Sequence, residues 1–214
     1  MLKFEVIPVT QFAQNCSLIW CDETNQAALI DPGGEAEKLL AAIARRGLTL
    51  THILLTHGHL DHVGAAAELR EKTGVAITGP HKEDAFWLDM LPQQSQMFGF
   101  SHTTAFTPDR WLALGDKVQL GRCELDVYFC PGHTPGHIVL LCQAERLAWV
   151  GDVLFAGSIG RTDFPRGDHG TLIRSITETL LPLGDEIVFI PGHGPSSTFG
   201  HERASNPYLT QPIW

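Results

Sequence analysis

Apolar residues fall in short runs broken by turn residues along most of this chain. Leu2 to Val9 alternates weakly, Asn15 to Cys21 is compact and apolar, and Gln26 to Ile30 ends at the turn Asp31-Pro32-Gly33-Gly34. This pattern predicts two or three antiparallel strands. Glu35 to Arg46 then sets Leu39, Leu40 and Ile43 on one helical face, with Gly47 as the stop signal. Thr51 to Leu55 reads as a buried strand and Val63 to Lys72 as an Ala-rich helix ended by Gly74. Between Pro80 and Pro108 the period weakens. A short helix is expected around Glu83 to Asp89, followed by a long connection with a lid's length, whose Met97, Phe98, Phe100 and Phe106 are expected to pack onto the core. Strands resume at Lys117 to Leu120, Glu124 to Phe129, His137 to Cys142 and Arg146 to Val150. A Gly-rich loop, a helix from about Thr171 to Leu181, a strand Glu186 to Ile190 and a short tail complete the chain.

That order implies an α/β fold: two sheets with helices outside, a four-layer αββα sandwich forming one domain over residues 1–214. A chain of 214 residues buries roughly 70% of its unfolded surface, so it needs no disulfide staples. The five cysteines contain no CxxC pair, which points to a reduced setting. No apolar run approaches the ~20 residues that cross a bilayer, and the first residues lack a secretory apolar stretch. A cytoplasmic protein without membrane partners is the expectation. The formal charge of −9 speaks against a nucleic-acid partner, whose affinity would rest on Lys and Arg.

The 11 histidines are the unusual part of the composition. The loop Thr56 to His62 reads THGHLDH, bringing His57, His59, Asp61 and His62 within six residues. Alternating positions past a strand share one side, so His57 and His59 can converge on one ion while Asp61 and His62 turn elsewhere. So many donors in so short a span suit two ions a few ångströms apart better than one open tetrahedral site. Three further polar residues stand at strand ends beside glycine: His133 in CPGHTPGH, Asp152 in VGDVLF and His193 in IPGHGP. Structural or solvated roles are expected for His52, His81, His102 and His201. His137 is expected to orient its loop, and His169 to lie on the surface.

THGHLDH with His133, Asp152 and His193 resembles the THxHxDH signature of the metallo-β-lactamase-fold hydrolases, from DPGG at Asp31 to NPYL at Asn206. Within that superfamily the chain looks most similar to the small bacterial type II glyoxalases, the hydroxyacylglutathione hydrolases without a long C-terminal domain. The resemblance implies two divalent ions, zinc foremost, with iron or manganese served by the same donors. It places His57, His59 and His133 on one ion, Asp61, His62 and His193 on the other, and Asp152 between them. It further implies attack of a metal-bridging hydroxide on the thioester carbonyl of a small anionic substrate such as S-lactoylglutathione. Asp61 and Asp152 would be the catalytic carboxylates. Asp31 is a candidate partner for a ligand imidazole, with capping of the DPGG turn as the equal alternative.

Substrate identity is less legible. Only 21 residues follow His193, so glutathione would be held by the core. Arg161 and Arg166, in GSIGRTDFPRGD, are the candidate substrate contacts; a salt bridge between Arg161 and Asp163 is the competing expectation. The GRTDF string also resembles the persulfide dioxygenases of the superfamily, which bind a single iron, here through His57, His133 and Asp152. Hydrolysis of another ester or lactone is a further alternative.

Overall fold

The computed structural model describes residues 1–210. The chain opens with β1 (Leu2–Val9), β2 (Gln14–Cys21) and β3 (Gln26–Ile30), continues through α1 (Ala36–Arg45), β4 (Thr49–Leu54), α2 (Leu60–Val63) and α3 (Ala66–Thr73), and reaches β5 (Ile77–Thr78). Two short helices, α4 (Ala85–Asp89) and α5 (Leu91–Phe98), precede β6 (Lys117–Leu120), β7 (Cys123–Phe129), β8 (Ile138–Cys142) and β9 (Leu147–Gly151). The hairpin β10 (Leu154–Phe155) and β11 (Ser158–Ile159) leads to α6 (His169–Arg174), which continues as a π-helical turn, Ser175–Leu180. The chain then forms β12 (Val188–Pro191), β13 (Ser197–Thr198), α7 (Phe199–Ser205) and α8 (Pro207–Thr210).

These strands build one sheet ordered β1-β2-β3-β4-β5 and another ordered β13-β12-β9-β8-β7-β6. The sheets are stacked with helices outside, as the order of elements predicts. The layering follows from the period of two along each strand. In β3, Ala28 and Ile30 face the second sheet, whereas Ala27 and Leu29 pack under α1 and α3 with Leu39, Ile43 and Leu69. In β8, Ile138 and Leu140 enter the same inter-sheet core beside Trp149, and Val139 and Leu141 pack outward against Leu172, Ile176 and Phe199. Both faces of the central strands are therefore buried, which is why they read as continuous apolar runs. All five cysteines are buried free thiols.

Strand direction sets the position of the site. β3, β4 and β5 are parallel, and β4 ends at the THGHLDH loop. β7 and β9 each run antiparallel to β8, and β12 is parallel to β9, so β7, β9 and β12 all end at one edge of their sheet. His133, Asp152 and His193 lie just beyond those ends. One seam between the sheets thus collects the polar loops.

Two expectations are corrected. Residues 91–98 form α5 and not an irregular connection. Pro92 sits in its first turn, where no hydrogen-bonded N–H is lost, and the inward positions are Leu91, Gln94 and Ser95, so the buried face carries no apolar period. Of the four apolar residues expected to pack there, Phe106 is buried but Met97 is 73% exposed. Past His193 the described residues form β13, α7 and α8, with Thr198 capping α7 by accepting from the His201 N–H.

Candidate functional site

The THGHLDH loop crosses the seam immediately after β4 and is fixed by Asp31 at the end of β3. Asp31 Oδ1 accepts from the Thr56 N–H at 2.7 Å, and Oδ2 accepts from the Thr56 hydroxyl at 2.6 Å and faces His62 Nδ1 at 2.9 Å. The carboxylate thus orients an imidazole, the first of the two roles expected for it, while its other bonds anchor the Thr56 loop and not the DPGG turn. His57 Nδ1 lies 3.0 Å from the Thr56 hydroxyl, and His133 Nδ1 lies 2.7 Å from the Arg161 carbonyl. With their protons on Nδ1, these rings present Nε2 lone pairs to the seam.

The ring atoms and carboxylates converge as two groups. One ligand atom each from His57, His59 and His133 lie within 4.8 Å of one another, and so do those from Asp61, His62 and His193. Asp152 stands between the groups: Oδ1 is 3.3 Å from His62 Nε2, and Oδ2 is 3.7 Å from both His133 Nε2 and His193 Nε2. A third grouping, Asp31 with His57 and His62, overlaps these, but Asp31 already accepts from Thr56. The Nε2 atoms of His57, His59 and His62 and Oδ1 of Asp152 are buried without hydrogen-bond partners. Four orphaned polar atoms in one place are costly in a folded protein unless something binds them. Imidazole nitrogens and carboxylate oxygens are the donor set of a divalent metal centre.

The electrostatics divide along the same line. Burial keeps His57 and His59 well below the usual imidazole range, and neighbouring rings add to the effect. Burial also lowers His133, partly offset by Asp152. His62 moves the other way: burial opposes its charge, but the carboxylates of Asp152 and Asp61 outweigh it. His193 is raised, against burial, by its contact with Asp61 and the charge of Asp152. Asp152 is depressed below the ordinary carboxylate range, because His62, His133 and His193 overcome its own burial. One half therefore offers neutral imidazoles, and the other a field that favours positive charge.

Supporting residues absent from the sequence-derived set come from the 81–98 segment. Asp84 is buried and accepts three hydrogen bonds, from the Gly58 N–H at 2.9 Å, the Thr134 hydroxyl at 2.8 Å and the Gly136 N–H at 2.6 Å. It therefore links the His57–His59 loop of one sheet to the His133 loop of the other. Burial pushes its pKa up to about 7 against those three bonds. Gln94 accepts from the Leu60 N–H at 2.9 Å and donates to the Trp87 carbonyl at 2.8 Å. A Cβ on Gly58 would sit 2.6 Å from Trp87 Cβ, and one on Gly136 would overlap the Asp84 backbone, so glycine is needed at both approaches. The visible signal for this clamp is that pairing of glycines beside the histidine motifs. His137 sits behind the site, stacked 4.6 Å from His57, and accepts from the Asp152 N–H at 3.1 Å.

A cleft of about 470 Å³ opens over the seam. Aromatic side chains dominate its wall. Trp87 and Phe164 flank His59 at ring distances of 4.5 and 5.1 Å, and Phe155 stands 6.4 Å from His193. Phe12, Phe98 and Phe100 form the rim, with Phe12 lying 6.2 and 5.3 Å from the other two. Arg161 lines the cleft, but Asp163 holds its fork through two bonds of 2.6 Å, and its guanidinium lies 4.2 Å over Phe164. Arg166 lies over Phe86 at 4.2 Å, away from the cleft wall. His169 is exposed, and among the described residues no helix is long and apolar enough to cross a membrane.

Comparisons with known proteins agree with this geometry. The family model described as the metallo-beta-lactamase superfamily matches residues 9–193. A Haemophilus influenzae protein named hydroxyacylglutathione hydrolase GloC is 53% identical over 209 residues, 97% of this chain and 98% of that one. Among solved structures, the B3 metallo-beta-lactamase BLEG-1 superposes with a TM-score of 0.89 at 37% identity, covering 99% of this chain and 100% of the other. TTHA1623, solved in a di-iron-bound form, gives 0.87 at 36% identity over 96% of this chain and 100% of that one.

Proposed function

The chain belongs to the metallo-beta-lactamase superfamily, and from that premise we propose that it is a glyoxalase II-type enzyme, hydrolysing S-lactoylglutathione or a related hydroxyacylglutathione to glutathione and a hydroxy acid. The observation that carries the metal chemistry is the pair of donor groups joined through Asp152, with their orphaned nitrogens. The near full-length relative named as a hydroxyacylglutathione hydrolase supports the substrate class.

In this reading His57, His59 and His133 hold one divalent ion, Asp61, His62 and His193 hold the other, and Asp152 serves both. Zinc is the ion we assign, and the same donors accept iron or manganese. When bound, the ions supply Lewis acidity, polarising a carbonyl oxygen and making water acidic enough to attack near neutral pH. Asp61 is only partly buried and faces the cleft, so its carboxylate is the chain's own acceptor for the attacking water's proton. A thiolate is a competent leaving group, and no separate strong acid is required. The aromatic wall excludes bulk water and strengthens every charge interaction within the seam.

Protein loaded with zinc should bind two equivalents per chain and release one thiol per S-lactoylglutathione cleaved, without oxygen uptake. Asp61→Ala should lower kcat by roughly 100-fold or more, in the range seen when a proton-transfer group is lost. Oxygen consumption on glutathione persulfide with one iron per chain, and no thioester cleavage, would overturn the proposal in favour of the dioxygenase chemistry.

A further inference from the structure

The wall of the cleft places apolar surface on both sides of the catalytic seam. Trp87 and Phe164 stand beside His59, and Phe155 stands beside His193. A thioester laid across the seam therefore meets aromatic surface with its acyl arm and with its thiol arm. The rim continues the pattern, with Phe12 44% exposed against the partly buried Phe98 and Phe100. Clustered exposed aromatics at a cleft mouth mark surface that a ligand covers.

Lys and Arg are nearly missing from the same wall. Among the described residues, Arg161 is the one Lys or Arg lining the cleft, and Asp163 already satisfies its fork. Glutathione carries a carboxylate at each end of its tripeptide, and neither finds an unpaired Lys or Arg side chain among the described lining residues. The net charge of −9 adds no attraction for an anionic carrier.

We infer that the enzyme recognises thioesters through the carbonyl and the apolar atoms flanking it, and that it is tolerant of the thiol carrier. Its substrate class extends to thioesters of uncharged, amide-bearing thiols, cleaved by the same addition of water: the C–S bond breaks, the carbonyl carbon gains the hydroxyl, and the sulfur leaves as thiolate. This extension rests on the hydrolase reading of the site.

The test compares S-lactoylglutathione with the lactoyl thioesters of N-acetylcysteamine and pantetheine on the zinc-loaded full chain. The expected kcat/KM values agree within about ten-fold, and KM for S-lactoylglutathione changes less than about two-fold between low and ~0.5 M salt, where exposed ion pairs are screened. The double variant Phe12→Ser/Phe155→Ser should raise KM at least five-fold on every carrier, with its main effect outside kcat. A loss of more than ten-fold on both uncharged carriers, or a KM for the glutathione thioester that climbs steeply with salt, overturns carrier tolerance. Failure to cleave any of the three thioesters overturns the hydrolase reading instead.

Discussion

Asp84 joins two loops that belong to different sheets. Its three acceptor contacts reach Gly58, between His57 and His59, and Thr134 and Gly136, on either side of the turn after His133. Asparagine at this position keeps the shape but turns one acceptor into a donor facing an N–H or O–H group. Asp84→Asn should therefore weaken the ion held by His57, His59 and His133 by roughly 10–100-fold, the usual cost of losing an outer partner of a metal site. Chelator competition on the variant measures this, and wild-type affinity at that site would sink the role. The seven proposed ligands were legible because each stands in a histidine-rich loop or beside a glycine at the end of an apolar strand. Asp84 was not, because an acid within HKED looks like ordinary helix surface until the fold brings the loops to it.

At the scale of elements, legibility followed what each one buries. β3, β8, β9 and β12 put apolar side chains on both faces, so their runs stand out from the turns around them. α5 and α7 turn Gln94, Ser95 and Glu202 inward, and polar residues at buried positions erase the apolar stripe. Those inward polar groups are spent on loops: Glu202 accepts from the Gly157 N–H at 2.8 Å and the Ser197 hydroxyl at 2.6 Å. The approach of the 81–98 segment to the His133 loop leaves no room for a side chain on Gly136. Gly136→Ala should cost about 1–3 kcal/mol by overpacking, lowering the melting temperature by several degrees at roughly 2–4 °C per kcal/mol. Calorimetry on the variant checks it, and an unchanged transition would show that the contact yields without strain.

The whole molecule is two half-sandwiches that share one seam of proposed ligands. Their orphaned nitrogens make the folded state the one that gains from metal, so chelation should destabilise it. At a free ion concentration 100 times the dissociation constant the linkage is about 2.7 kcal/mol per site, and removing both zinc ions should lower the melting temperature by roughly 10–20 °C. An identical transition with and without chelator would contradict the ligand assignment. The division of donors has a consequence for biosynthesis. His57, His59, Asp61 and His62 emerge from the ribosome long before His133, Asp152 and His193. The first trio is incomplete until residue 133 has been made, and the second until residue 193. A nascent chain that stops short of residue 193 can offer no more than one of the two trios, so loading of the second becomes a report that both halves have been made and docked.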